Sequence, residues 1–183
     1  MGTYQIAVII GSLRKDSLNR RLATALEKLE HPELSFKQLQ IGDLPLYNQD
    51  NDDNQAESVK RFKLEIISAD GLLFVTPEYN RSIPGVLKNA IDHGSRPRGH
   101  NSWEGKPAGV VGVSPSANGT ALAQQHLRNI LVCLDAPTLA QPEVFIQLKD
   151  GLFDESGNIG MNSKPFLQSW MNKYLSWVKK FAV

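Results

Sequence analysis

The sequence predicts an α/β fold, a parallel sheet with helices packed on both of its faces. Three observations lead there. Short apolar runs of strand length alternate with helical periodicities from one end of the chain to the other. Two of the runs, Gly71 to Thr76 and Ala108 to Val113, are apolar on both faces in the manner of central parallel strands rather than alternating ones. No internal repeat or composition shift interrupts the pattern, so residues 1–183 are expected to form one domain.

The elements follow in order. Tyr4 to Ile10 is the first strand, and Leu18, Leu22, Ala25, Leu26 and Leu29 then recur at helical spacing. Leu34 to Ile41 is a partly polar strand suited to a sheet edge, and Asn48 to Gln55 is a polar loop. Val59, Phe62, Ile66 and Ile67 mark the second helix, and Gly71 to Thr76 the third strand. A third helix starts near Pro84, favourable in a first turn, with Val86, Leu87, Ala90 and Ile91 on its inner side. After the strand Ala108 to Val113, Ala123, Leu127, Ile130, Leu131 and Leu134 pattern a fourth helix. Val144 to Ile146 is a short edge strand with Pro137 and Pro142 nearby. Phe166, Leu167, Trp170, Met171, Tyr174, Val178 and Phe181 form the core side, or a subunit contact, of a closing helix.

The bulk properties narrow the function. A formal net charge of +1 over 183 residues gives no basic face for nucleic acid. No apolar run approaches the ~18 residues of a membrane span, and no charged segment precedes the first apolar run, so the expected address is the cytoplasm. Met1-Gly2 opens a myristoylation pattern that Ile6 breaks, and the two Asn-x-Ser/Thr matches at Asn80 and Asn118 have no secretion signal to make them meaningful. The single cysteine, Cys133, excludes an intramolecular disulfide and reads as core filler on the fourth helix. His31, His93, His100 and His126 lack metal spacing, and Asp50, Asp52 and Asp53 read as a solvated loop; no metal site is expected. Gly99 to Lys106 imitates a Walker loop but is one residue too long, ends in Pro107 and precedes a strand. Ser12 and Ser17 have no adjacent base and no nucleophile elbow around them, so no catalytic side chain is assigned.

Chemistry concentrates in three turns that follow strands one, three and four, where open parallel sheets bind ligands. Gly11-Ser12-Leu13-Arg14-Lys15-Asp16-Ser17-Leu18-Asn19 joins a buried strand to a helix start. Unpaired backbone N–H groups and the positive end of the helix dipole there favour an anion. Ser12, Ser17 and Asn19 can add neutral hydrogen bonds and Arg14 a charge-assisted one, whereas the three glycines of a dinucleotide fingerprint are missing. Thr76 to Gly85 is a Pro-bounded turn presenting Glu78, Tyr79 and Asn80. Val113 to Gly119 is built of small residues that let a flat ligand approach the backbone. One turn for a phosphate and two for a planar heterocycle fit a flavin mononucleotide better than a dinucleotide.

On these residues the chain resembles the NADPH-dependent FMN reductase family, in particular its bacterial quinone, chromate and azo reductases. The likeness rests on Gly-Ser-Leu-Arg-x-x-Ser-x-Asn at Gly11 to Asn19 and on the match from Pro77 to Asp92. Asp43 to Tyr47, Gly105-Lys106-Pro107 and His126-Leu127-Arg128 continue it. The resemblance implies a flavodoxin-like fold, a five-stranded parallel sheet in the order 2-1-3-4-5, and a non-covalent FMN with NADPH or NADH as co-substrate. It implies that Ser12, Arg14, Ser17 and Asn19 hold the phosphate, with Leu13 and Leu18 lining the turn. Pro77, Glu78, Tyr79 and Asn80 would flank the ring system, with Ser114 on its other side. Small-molecule electron acceptors (quinones, flavins, azo compounds, chromate) and a homodimer or homotetramer are implied too. Arg81 stands where relatives often carry an aromatic residue. A flavodoxin-like electron carrier and a non-catalytic FMN-binding module are the alternatives, the first disfavoured by the lack of acidic charge.

Overall fold

A computed structural model describes residues 2–181. Five strands, β1 (Tyr4–Ile10), β2 (Leu34–Gln38), β3 (Gly71–Val75), β4 (Ala108–Ser114) and β5 (Phe145–Gln147), pair in parallel in the order β2-β1-β3-β4-β5. Helices α1 (Leu18–Glu27), α2 (Glu57–Ile67), α3 (Gly85–Gly94), α4 (Ala121–Cys133) and α5 (Lys164–Phe181) cover the two faces. Because successive strand side chains point to opposite faces, each strand feeds two cores. Ile6, Val8, Ile10, Leu73, Val75, Val111 and Val113 pack with α1 and α5. Ala7, Ile9, Leu72, Phe74 and Val110 pack with α2, α3 and α4. The chain leaves β1 for α1 on one face and β3 for α3 on the other, so a crevice opens beyond the carboxyl ends of these neighbours.

Buried polar contacts fasten the helices. The Tyr174 hydroxyl donates to the Leu72 carbonyl across 2.8 Å, and complete burial holds its phenol well above the ordinary range. The Lys106 ammonium donates to the carbonyls of Ile67 and Ala69 at 2.7 Å each, capping the carboxyl end of α2 where a cation is favoured. Burial lowers the pKa of that ammonium.

Several boundaries and orientations differ from the sequence reading. β2 stops at Gln38 rather than Ile41, although Leu39 and Ile41 remain buried and anchor the following loop to the α2–α3 face. That loop contains a 3₁₀ turn, Gln49–Asn54, started by Asn48, whose side chain accepts from the Asp50 N–H. Pro84 is the N-cap of α3 and not part of its first turn. β5 covers Phe145–Gln147 instead of Val144 to Ile146. Cys133 is exposed and is not core filler: it lies two residues beyond the buried Leu131, about 200° around the helix. In α5 the buried stripe is Leu167, Trp170, Met171, Tyr174 and Val178, which leaves Phe166 and Phe181 on the outer side. Among the described residues, no helix is long and apolar enough to cross a membrane.

Candidate active site

The turn after β1 leaves a set of backbone donors unpaired at the start of α1. The Ser12 N–H is tied back to the Ile10 carbonyl and its hydroxyl accepts from the Arg14 N–H. Ser17 caps α1, its hydroxyl accepting from the Arg20 N–H at 3.3 Å. Within the described residues the N–H groups of Lys15, Asp16, Leu18 and Asn19 have no protein acceptor. Unpaired donors along a turn into a helix start form a cradle for a negatively charged oxygen group. The Ser12 and Ser17 hydroxyls are buried beside it, and Arg14 is exposed and lines the same cleft.

The turn after β3 is a tight hairpin. Tyr79 and Ser82 exchange two N–H···O bonds of 2.9 Å, and Asn80 and Arg81 between them have φ of 50° and 62°. Consecutive left-handed residues inside a two-residue loop are the signature of a type I′ turn. Its base is held on α4 from two sides. One Glu78 carboxylate oxygen accepts from the N–H groups of Leu122 and Ala123, at 2.9 and 3.1 Å, and the Ser82 hydroxyl lies 3.0 Å from Nδ1 of His126. Glu78 therefore turns its charge toward the positive end of α4. Around the turn, the N–H groups of Glu78 and Asn80 have no protein acceptor among the described residues, while that of Tyr79 is spent within the hairpin.

The turn after β4 is joined to the first one. The Asn19 amide, 2% exposed, donates to the Val113 carbonyl at 2.9 Å and accepts from the Val113 N–H at 3.0 Å. Both amide atoms are thereby committed to β4. Ser114 closes its own turn, accepting from the Ser116 N–H and donating to the Ser116 hydroxyl. At Gly112 an added Cβ would run into the Thr76 carbonyl and the Thr120 hydroxyl, so only glycine lets β4 pass the end of β3 here.

The three turns enclose a cleft of about 140 Å³ lined by Ser12, Arg14, Ser17, Leu18, Asn19, Pro77, Glu78, Tyr79, Val113, Ser114 and Pro115. Of the positions expected from sequence, Leu13 and Asn80 do not line it: Leu13 is 57% exposed and its side chain lies against Gly42, and Asn80 is at the exposed hairpin tip. Val113 and Pro115, within the small-residue turn Val113 to Gly119, line the cleft beside Ser114, as their place at the end of a central strand implies. The donor set suits a phosphate monoester, since the one carboxylate of the first turn, Asp16, lines a separate groove. A larger ligand must extend past the rim, where Tyr79 is 48% exposed. The strap Asp43 to Tyr47 lies outside this cleft and is latched to α3, with the Tyr47 N–H on Asn89 and the Pro45 carbonyl on Asn89 and His93. Among the described residues no three His, Cys, Asp or Glu side chains gather as ligands for a cation.

Residues 4–150 match the model of the family described as NADPH-dependent FMN reductase. A quinone reductase of Pseudomonas putida is 51% identical over 177 residues, 96% of this chain and 95% of the relative. A 2-hydroxy-1,4-benzoquinone reductase of a Burkholderia species is 49% identical over 176 residues, 96% of each. Among solved structures, the flavoenzyme NAD(P)H:(acceptor) oxidoreductase FerB of Paracoccus denitrificans superimposes with a TM-score of 0.94 at 44% identity, over 99% of this chain and 100% of that one.

Proposed function

The chain belongs to the NADPH-dependent FMN reductase family, and on that premise we propose that it is an FMN-dependent NAD(P)H:quinone reductase whose cofactor phosphate sits in the turn after β1. The observation that carries this reading is the meeting of the unpaired N–H groups of Lys15, Asp16, Leu18 and Asn19 with the β3 and β4 turns at one crevice. Bound FMN supplies the redox chemistry, taking a hydride from NADPH or NADH and giving two electrons to an acceptor. The protein's part is binding and orientation. The backbone amides and the hydroxyls of Ser12 and Ser17 hold the phosphate, and Arg14 adds a charge-assisted contact worth about 1.5–3 kcal/mol. Leu18 lines the cleft beside them, while Leu13 packs against Gly42 outside it. Asn19 contributes by fixing Val113, which sets the position of Ser114 on one side of the ring site. Pro77, Tyr79 and the free N–H groups of Glu78 and Asn80 flank the other side, where fixed donors stabilise negative charge on a reduced ring.

No protein nucleophile or metal enters this scheme. Dinucleotide and acceptor use the same open slot in turn, a ping-pong order, which suits flat acceptors of many kinds: quinones first, with flavins, azo compounds and chromate as further candidates. We read the protein as a cytoplasmic homodimer or homotetramer, to be checked by light scattering on the purified protein. The functional test is direct. Purified protein is expected to be yellow and to bleach rapidly on anaerobic addition of NADPH, then to regain colour with a quinone. Colour without bleaching would indicate an electron carrier or FMN-binding module. Failure to acquire colour with added FMN would overturn all three readings. Arg14→Ala is expected to weaken FMN affinity by about tenfold or more while slowing hydride transfer little in protein still loaded with flavin. Unchanged FMN affinity would remove Arg14 from the site.

A further inference from the structure

Beside the cleft, on the outer side of α1, runs a second groove of about 440 Å³ lined by Lys15, Asp16, Ser17, Arg20, Arg21, Thr24, Lys28 and Gly157. Ser17 lines both, so the groove begins at the phosphate turn itself. Its residues follow helical spacing along α1, which makes the groove about 15 Å long. Four cations against the one carboxylate of Asp16 give it a local charge of +3 in a chain whose whole balance is +1. None of the four forms an ion pair within 4 Å among the described residues. Asp154 is the further carboxylate that feels Lys28.

The opposite wall is a fixed hairpin. Phe153 bridges to Ile159, and Asp154 is bonded through backbone and side chain to Asn158. The Arg21 guanidinium lies 4.6 Å from the Phe153 ring centroid, and the Lys28 ammonium donates to the Ser156 carbonyl at 3.3 Å. These contacts orient the two cations along the groove and leave most of their donors free.

We propose that this groove binds the adenosine 2′,5′-bisphosphate end of NADPH and selects NADPH over NADH. The inference rests on the reductase reading above. The groove's volume suits a mononucleotide, and its charge suits a phosphate monoester, the group that NADH lacks. Because Ser17 lines both, the groove adjoins the cleft that the reductase reading gives to the cofactor, so one dinucleotide can reach from one to the other.

The test compares wild type with Arg20→Gln/Lys28→Gln in FMN-loaded enzyme with one quinone, and titrates both with adenosine 2′,5′-bisphosphate by calorimetry. The double substitution is expected to raise KM for NADPH about tenfold or more and to move KM for NADH by less than about twofold, with FMN affinity unchanged. Wild type should bind adenosine 2′,5′-bisphosphate at least about tenfold more tightly than AMP, and the variant should lose that margin. Lys28→Arg, which keeps the charge, should keep the discrimination. Equal movement of both KM values, or equal binding of the two adenosine phosphates, would overturn the proposal. A wild type that oxidises neither dinucleotide would instead overturn the reductase reading, and the calorimetry would still decide the groove.

Discussion

At the scale of single residues, Arg81 shows local preference set aside. The hairpin after β3 asks for φ above zero at both central positions, and Asn80 tolerates this where Arg81 does so only at a cost of about 1–2 kcal/mol. Arg81→Gly is therefore expected to raise stability by about 1 kcal/mol, read as a higher urea midpoint at unchanged slope. The sequence disclosed a turn here because of its prolines, but not its type: Asn-Arg carries half of the Asn-Gly signal. Asn19 makes a related point. Its residue type and position at the turn after β1 were legible, while the bonds that occupy its amide reach 94 residues along the chain. No local pattern encodes a partner at that distance. Cys133 misled for the opposite reason, because apolar neighbours in sequence are not neighbours around a helix.

At the scale of elements, Glu78 couples a binding loop to a helix start. Thr120, the N-cap of α4, makes no capping bond, and the Glu78 carboxylate supplies the missing acceptor from 44 residues away. Glu78→Gln keeps an acceptor but removes the charge, and is expected to cost about 0.5–1 kcal/mol. Faster hydrogen exchange at Leu122 and Ala123 would locate the loss in the first turn of α4. The hairpin 153–159 responds to acid instead. The Asn158 backbone and side-chain donors hold the Asp154 carboxyl below its ordinary range. A depressed pKa in the folded state means that the contribution is present above the unfolded value of about 4 and lost as pH falls through the lower folded one. Titration followed by the Asn158 amide resonance should show the hairpin loosening there, and Asp154→Asn should abolish that transition. Helix and strand types were readable from periodicity, whereas their ends were not. Caps such as Glu78 on α4 and Lys106 on α2 come from distant segments, so the residues at a boundary do not mark it.

For the whole molecule, the alternation of apolar runs foretold five parallel strands between two helical layers, because strands buried on both faces read as continuous apolar runs, while their order came from the family likeness. The cleft was legible as three turns at strand ends; its depth and the basic groove beside it were not, since they depend on how α1 seats against its neighbours. The approach of β4 to the residue that follows β3, at Gly112, is one of the tight fits behind that seating. Gly112→Ala is expected to cost about 3 kcal/mol or more, seen as a fall in Tm together with reduced soluble yield. The Asn19–Val113 clamp has one more use. Because that N–H is shielded by a side chain of α1 and not by a strand, its exchange rate is a gauge of how often the first helix lifts from the sheet. A single labelled proton can thus time the breathing of the crevice.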